Sequence, residues 1–203
     1  MLIGRERERR LIDGLVAGAR LGRSGVLVLT GEAGIGKTAL VDYAAAAASG
    51  VTLLRATGSE AERDVPFGGL AQLFRVTLED LDRLPAPQAQ ALGVSLALRG
   101  GPVVDRLAVG AAVLNLLSRR SEHRPVGLLI DDAHLLDRPS VDALVFASRR
   151  LLADPVFVLA AVRTGEPSVF LGAGVPLQTL AGLDLTAPPR SPVPAAPKCR
   201  RRR

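Results

Sequence analysis

Gly31-Glu32-Ala33-Gly34-Ile35-Gly36-Lys37-Thr38 matches every position of the G-x-x-x-x-G-K-[ST] pattern, which forms a loop around phosphate groups in nucleotide-binding proteins. Lys37 is one of only two lysines among the 26 basic residues of the chain, and the other, Lys198, lies close to the carboxyl terminus. The main body of the chain therefore has lysine only where phosphate binding requires it. We interpret the octapeptide as a nucleotide-binding loop rather than as a glycine-rich turn.

Both flanks of this loop fit the interpretation. The apolar run Val26–Thr30 predicts a strand buried on both faces, and the alanine-rich segment Thr38–Ala48, which lacks Pro and Gly, predicts a helix. Glycines between them let the backbone approach a phosphate, with its N–H groups at the positive end of the helix dipole. We therefore expect the segment Gly31–Ala39 to bind ATP, with Lys37 at the β- and γ-phosphates and Thr38 as a ligand of Mg²⁺.

Apolar runs alternate with helical patterns along the chain, which predicts an α/β fold. We expect the three-layer core of a P-loop NTPase, with a five-stranded, mostly parallel sheet flanked by helices. The further strands are predicted at 51–55, 126–130, 157–162 and 177–183. Three helical patterns at 68–84, 88–98 and 105–120 form a predicted insertion between strands 2 and 3, divided by Pro85, Pro87 and the turn 100–102.

The composition predicts one domain over residues 1–185, since 48% of the 203 residues are hydrophobic and can fill a core. Residues 186–203 are rich in Pro and Arg and are predicted to form a disordered basic tail. The net charge of +6 equals the six basic residues after position 185, so the domain itself is neutral. A neutral domain favours protein partners over nucleic acid.

The single cysteine, Cys199, excludes a disulfide within the chain and fits a reducing cytoplasm. The amino-terminal segment lacks the pattern of a secretory signal. No apolar run approaches the roughly 18 residues that a membrane span needs, so we expect a cytoplasmic protein without a membrane partner.

Two adjacent acids, Asp131 and Asp132, follow the predicted strand 126–130. Alone they would be interpreted as caps of the next turn. With a phosphate-binding loop upstream, Asp131 becomes the expected second ligand of Mg²⁺, and Asp132 is the candidate to orient or deprotonate the attacking water. Aspartate reaches less far than glutamate, so we expect slow hydrolysis.

Other polar residues give weaker evidence about the function. Arg163 ends the predicted fourth strand and is a candidate γ-phosphate sensor, with a solvated strand-end arginine as the alternative. His134 is interpreted as a turn residue beside the acids and His123 as a loop residue, because neither has the companions of a zinc site. Asp137-Arg138-Pro139 predicts a helix start, with the acid as N-cap.

Several segments occur together in a recognisable order. They are Leu2-Ile3-Gly4-Arg5-Glu6, Gly31–Thr38, Gly58-Ser59-Glu60 with Pro66-Phe67-Gly68, Leu128–His134 and Ala161-Val162-Arg163. With these segments the chain resembles the N-terminal ATPase module of large ATP-binding LuxR-type transcriptional regulators, in the STAND class of AAA-like P-loop ATPases.

This resemblance implies an ATP- and Mg²⁺-dependent switch module that contacts protein partners or associates with itself. It also implies that Gly4 and Arg5 lie near the adenine, although Glu6 and Arg10 also fit an ordinary i,i+4 pair on a first helix. Members of the family continue into a lid, a winged helix, sensor repeats and a helix-turn-helix. None of these fits after residue 183, so we expect a truncated module without specific DNA binding of its own.

Three alternatives stay open. A small-molecule kinase shares the loop and the sheet but needs an acceptor pocket and an arginine-rich lid, and the Asp131-Asp132 pair and Arg163 argue against it. A nucleic-acid-binding role would rest on Arg200–Arg203, a run short enough to give only weak, salt-sensitive attraction. The chain would otherwise be an inactive fragment.

Overall fold

The computed structural model describes residues 4–74, 78–102, 105–151 and 153–182. The predicted tail 186–203, the segment Leu2-Ile3 and Leu183 lie outside these ranges. The domain boundary at 185 therefore stays a prediction.

Five parallel strands form one sheet in the order β2-β3-β4-β1-β5, which confirms the predicted α/β fold. The apolar runs of the sequence become strands because each lies buried between two layers of helices. Their bounds are β1 Gly25–Gly31, β2 Thr52–Thr57, β3 Val126–Asp131, β4 Val156–Arg163 and β5 Leu177–Thr179. The prediction for β5 was four residues too long at its carboxyl end, where Gly182 follows the strand.

Six α-helices accompany the described part of the sheet, and none of them is long and apolar enough to cross a membrane. They are α1 Glu6–Arg20, α2 Lys37–Ala47, α3 Gly68–Phe74, α4 Ala86–Ser95, α5 Arg106–Ser121 and α6 Arg138–Ser148. The insertion between β2 and β3 is helical, as predicted. The prediction of one helix over 68–84 was wrong, because α3 ends at Phe74 and Leu78–Arg83 forms a 3₁₀ turn. The β-branched residues Val76 and Thr77, which are poor helix formers, separate these pieces in the sequence.

The prolines of the insertion have a different role from the predicted one. Pro85 is the N-cap of α4 and Pro87 lies in its first turn, so this pair begins the helix instead of only separating two helices. An unpaired N–H is normal at this position, which is why the first turn tolerates proline.

The core has two halves because side chains alternate between the faces of the sheet. Odd-numbered residues such as Leu29 and Leu159 face α1 and α2, whereas even-numbered residues such as Val28 and Val158 face the helices of the insertion and α6. All of these side chains are fully buried. The predicted three layers are therefore present, with the sheet in the middle.

One buried carboxylate joins the insertion to the rest of the domain. Asp137, the predicted N-cap of α6, accepts the N–H of Ser140 at 2.9 Å and also the N–H groups of Phe67 at 2.7 Å and Gly69 at 2.9 Å. The Ser140 hydroxyl accepts the N–H of Leu70 at 3.0 Å. We call these contacts the Asp137 clamp, because they cap α3 and α6 together and hold Phe67 in a left-handed conformation with φ of 63°.

We predict that Asp137→Ala lowers the free energy of unfolding by about 3 kcal/mol, since it leaves two buried N–H groups and one part-buried N–H group without an acceptor. Asp105→Ala is the matched control, because exposed Asp105 caps α5 through the N–H of Leu107 alone. Asp105→Ala should lower the free energy of unfolding by about 1 kcal/mol. Urea unfolding of the two variants measures both values, and equal losses would refute the dual capping role.

Candidate functional site

The carboxyl ends of three neighbouring strands meet at one edge of the sheet. In the register of β1 and β4, Gly31 lies beside Arg163. On the other side of β4 is β3, whose last residue is Asp131. The loop, the acids and the arginine that the sequence singled out are thus brought together, as expected for ligand binding at the carboxyl edge of a parallel sheet.

A cavity of about 650 Å³ opens at this edge. Eight of the predicted site residues line it, namely Ala33, Gly34, Gly36, Lys37, Thr38, Ala39, Asp132 and Arg163. Its wall also includes three residues that were not predicted as site residues, Asp42, His134 and Leu135. Gly31, Glu32, Ile35, Asp131, Gly4 and Arg5 are not among the lining residues.

The loop between β1 and α2 presents unpaired N–H groups to the cavity. Gly34 and Gly36 have φ values of 74° and 101°, which a residue with a side chain adopts only under strain. Gly36 is the N-cap of α2 and provides no side chain to bond the helix terminus. The first-turn N–H groups of Lys37, Thr38 and Ala39 have no acceptor among the described residues. This arrangement is the one that binds anionic oxygens at a helix N-terminus.

Lys37 is buried, with 7% of its surface exposed, and its ammonium bonds its own loop. Nζ donates to the carbonyl of Gly31 at 2.9 Å and to that of Glu32 at 2.8 Å. An ammonium group has three N–H donors, so one remains for a ligand. The loop therefore holds its cation in place before any anion arrives.

Arg5 supports the loop from outside the cavity. It is 4% exposed, its Nη2 donates to the carbonyl of Ile35 at 2.9 Å, and its Nη1 lies 3.8 Å from Oε1 of Glu8. Gly4 is exposed, and its N–H donates to the carboxylate of Glu6 at 3.3 Å. The Arg5 guanidinium therefore positions the loop, and the predicted adenine contact of Gly4 and Arg5 stays a prediction.

The two acids form a tight turn after β3. Asp131 is 8% exposed, and its Oδ1 accepts the N–H of Asp132 at 3.0 Å. Asp132 has φ and ψ of 45°, a left-handed conformation that aspartate tolerates better than most residues. Gly58 packs against this turn, where it donates its N–H to the carbonyl of Asp131 at 2.9 Å. A Cβ on Gly58 would lie 2.1 Å from the carbonyl oxygen of Asp132, so only glycine fits there.

Besides Lys37, the charged residues that line the cavity are Asp42, Asp132 and Arg163. Asp42 pairs with Arg55 of β2 at 2.5 Å, which offsets its charge. Arg163 is exposed, and its guanidinium has no hydrogen-bond or ion-pair partner among the residues that the structure describes. Thr38 is exposed at the start of α2. Cations therefore line the loop side and the β4 side, while Asp132 faces them.

His134 is one of the three lining residues that the sequence analysis did not predict as site residues. It lies in the 3₁₀ turn Ala133–Leu135, as expected of a turn residue, but its side chain is 8% exposed and lines the cavity. Nδ1 accepts the backbone N–H of Arg163 at 3.4 Å. No spacing in the sequence reveals this contact, because its partner follows 29 residues later on another strand.

The surroundings of His134 lower the pKa of its imidazole and so favour the neutral form. Burial is the main cause that lowers its pKa, and the positive charges of Lys37 and Arg163 act in the same direction. The acids Asp132 and Glu166 oppose the shift without cancelling it. A neutral imidazole whose Nδ1 accepts a bond carries its proton on Nε2, so His134 is a hydrogen-bond donor at Nε2.

His134 also lines a second cavity, of about 420 Å³. The wall of this cavity includes polar residues of three segments, among them Arg63, Arg138 and Ser168. The Ser168 hydroxyl is buried and has no hydrogen-bond partner among the described residues. His134 thus lines both cavities.

The residues of the first cavity, together with Asp131 next to the lining residue Asp132, fit a nucleotide with a divalent cation. The loop N–H groups, Lys37 and Arg163 suit phosphate oxygens, whereas the Thr38 hydroxyl and the Asp131 carboxylate are hard oxygen ligands of the kind that Mg²⁺ prefers. Without a cation, the carboxylates of Asp131 and Asp132 would repel a polyphosphate. The donor set therefore suits the magnesium complex better than the free nucleotide.

One comparison with known proteins identifies a family. The sequence matches the family model described as "AAA ATPase domain" over residues 1–159. A chain in the structure of Drosophila ORC bound to DNA superposes with a TM-score of 0.48 at 18% sequence identity, covering 89% of this chain. The present chain spans 42% of the length of that one. No curated protein sequence matches the chain significantly.

We predict that Gly58→Ala disrupts the turn of the two acids, because the new methyl group would collide with a backbone carbonyl that cannot move aside. The expected loss in the free energy of unfolding is about 2 kcal/mol or more. Gly14→Ala is the matched control, since Gly14 is exposed within α1 and nothing lies within 4 Å of its added Cβ. The control should be stabilised by about 0.5–1 kcal/mol. Chemical unfolding measures both, and a Gly58→Ala protein as stable as the control would disprove the steric argument.

Proposed function

Because the chain belongs to the AAA ATPase domain family, we propose that it is the ATP-binding switch module of a LuxR-type transcriptional regulator of the STAND class. The observation that carries this proposal is the convergence of the unpaired loop N–H groups, Lys37 and the Asp131-Asp132 pair at one edge of the sheet. The LuxR-type assignment rests on the segments that the chain shares with that family.

Binding begins with the loop. The N–H groups of Lys37, Thr38 and Ala39 receive phosphate oxygens at the positive end of α2, and the third N–H of the Lys37 ammonium adds a point charge. Arg5 and the carbonyls of the loop already hold this geometry, so little ordering remains when the nucleotide binds. Arg163 extends the positive charge to the β4 side of the cavity.

The Thr38 hydroxyl and the Asp131 carboxylate hold Mg²⁺ in this proposal. The bound ion would neutralise phosphate charge and increase the reactivity of the terminal phosphate. Asp131 is suited to this role because one of its oxygens already accepts the N–H of Asp132, which fixes the carboxylate and leaves the other oxygen for a ligand.

Asp132 is the candidate to orient or deprotonate the water that attacks the terminal phosphate. Its carboxylate lies in the wall of the cavity, while its backbone is held in a left-handed turn against Gly58. The short side chain limits its reach, so we propose slow hydrolysis. A long-lived ATP state suits a switch better than a motor.

The switch would act through the segments that leave the site. The acid turn continues through Ala133–Leu135 into α6, and β4 continues from Arg163 towards residues 164–169. A nucleotide that contacts Asp132 and Arg163 together biases both segments. The neutral domain surface supports protein partners or self-association as the target of this change.

A small-molecule kinase is the second candidate, and one observation favours it. The second cavity adjoins the nucleotide cavity at His134 and is large enough for an acceptor. A phosphorylated acceptor formed together with ADP would establish the kinase, whereas release of inorganic phosphate alone would support the switch.

We predict saturable binding of MgATP by the full chain, measured by titration calorimetry. Lys37→Ala should weaken it at least tenfold, because a charge-assisted hydrogen bond is lost. Lys198→Ala, which changes the other lysine, should leave the affinity unchanged. Chelation of Mg²⁺ should weaken binding to the unmodified chain but should have little effect on Asp131→Ala. A folded chain that does not bind MgATP would overturn the proposed function.

A further inference from the structure

The position of His134 suggests a binding role that membership of the AAA ATPase domain family does not by itself assign to it. Its side chain lies in the wall that faces the phosphate-binding loop, next to Asp132 and Arg163. Asp132 and His134 follow β3 and Arg163 ends β4, whereas most of the other lining residues belong to the loop and α2. In the proposed function the loop and α2 hold the phosphates, so the terminal phosphate would lie towards the ends of β3 and β4.

The protein backbone fixes the imidazole in one protonation form. A peptide N–H can only donate, so the contact with Arg163 at 3.4 Å requires an unprotonated Nδ1. The single ring proton of the neutral form is then on Nε2. His134 thus offers a donor without a net charge, held by a strand end and shielded from water.

We propose that His134 distinguishes ATP from ADP by donating Nε2–H to the terminal phosphate. This inference rests on the proposed function, since it deepens the role of the same cavity. It names His134 as a binding residue for the γ-phosphate, which ADP lacks. Lys37 and the loop N–H groups bind the phosphates that both nucleotides share, so they contribute little to the discrimination.

The contacts of His134 also indicate how binding of the terminal phosphate would affect the rest of the domain. The imidazole is bonded to the backbone of Arg163 at the end of β4, and it follows the acid turn after β3. A phosphate that binds Nε2 therefore engages the ends of two strands through one side chain. The same ring forms part of the second cavity, so a change in its position alters that wall as well.

Two substitutions separate the donor from the structural contact. In His134→Asn the amide oxygen can replace Nδ1 as the acceptor of the Arg163 N–H, but no donor reaches the position of Nε2. In His134→Gln the longer side chain places an amide N–H near that position. The first variant retains the contact that supports the fold, and the second restores the donor.

The experiment is calorimetry on the full chain with Mg²⁺, using ADP and an ATP analogue with a methylene group between the β- and γ-phosphates. We expect His134→Asn to weaken binding of the analogue about tenfold while the affinity for ADP stays within twofold. His134→Gln should recover most of the loss. Thermal unfolding of each variant checks that the chain is folded.

Two matched controls guard against indirect effects. Ser168→Ala removes a hydroxyl from the second cavity, and His123→Asn changes the other histidine, which is exposed in a loop. Both should bind the two nucleotides like the unmodified chain. If Ser168→Ala weakened analogue binding as much as His134→Asn, the effect would belong to the second cavity, and the inference would be wrong.

The outcomes separate this inference from the proposed function. If the unmodified chain binds neither nucleotide, both the proposed function and the role of His134 are wrong. If it binds both nucleotides and His134→Asn weakens them equally, or weakens neither, only the role of His134 is overturned. A selective loss for the analogue, with recovery in His134→Gln, supports it.

Discussion

The parallel register of β1, β4 and β3 is the constraint on which the site depends. Each strand is buried on both faces, so a shift of one residue would turn every side chain of that strand towards the wrong half of the core. The same register aligns the strand ends. Gly31, Asp131 and Arg163 thus share one edge, although they lie far apart in the sequence. Hydrophobic packing of the strands therefore places the polar chemistry at their ends.

The loop illustrates how an anion site is prepared before its ligand binds. Positive φ values at Gly34 and Gly36 turn the backbone, and two cations hold it, since Arg5 binds the carbonyl of Ile35 and Lys37 binds those of Gly31 and Glu32. Carbonyl oxygens that would repel a phosphate are thereby occupied. The N–H groups that attract one remain open.

Short sequence patterns predicted those features whose interacting residues lie close together in the sequence. The loop, its strand and helix, the acids after β3 and the N-cap of α6 each follow from a short stretch of sequence. His134, the Arg5 anchor and the second function of Asp137 depend on partners 29, 30 and about 70 residues away, and no spacing signals them. The wrong prediction of one helix over 68–84 has a related cause, since an apolar periodicity in the sequence does not show where a helix ends.

The Asp137 clamp has a consequence for how this domain can vary in length. It holds both ends of a stretch of almost 70 residues against one carboxylate, so that stretch is a closed loop with fixed ends. The entropy of closing a loop rises slowly, by about 0.6 kcal/mol for each doubling of its length. The connections between α3, α4 and α5 can therefore change in length without displacing β3 or the acid turn. The helices themselves cannot, because Leu92 of α4 and Val113 of α5 are buried in the core half that also contains β3 side chains.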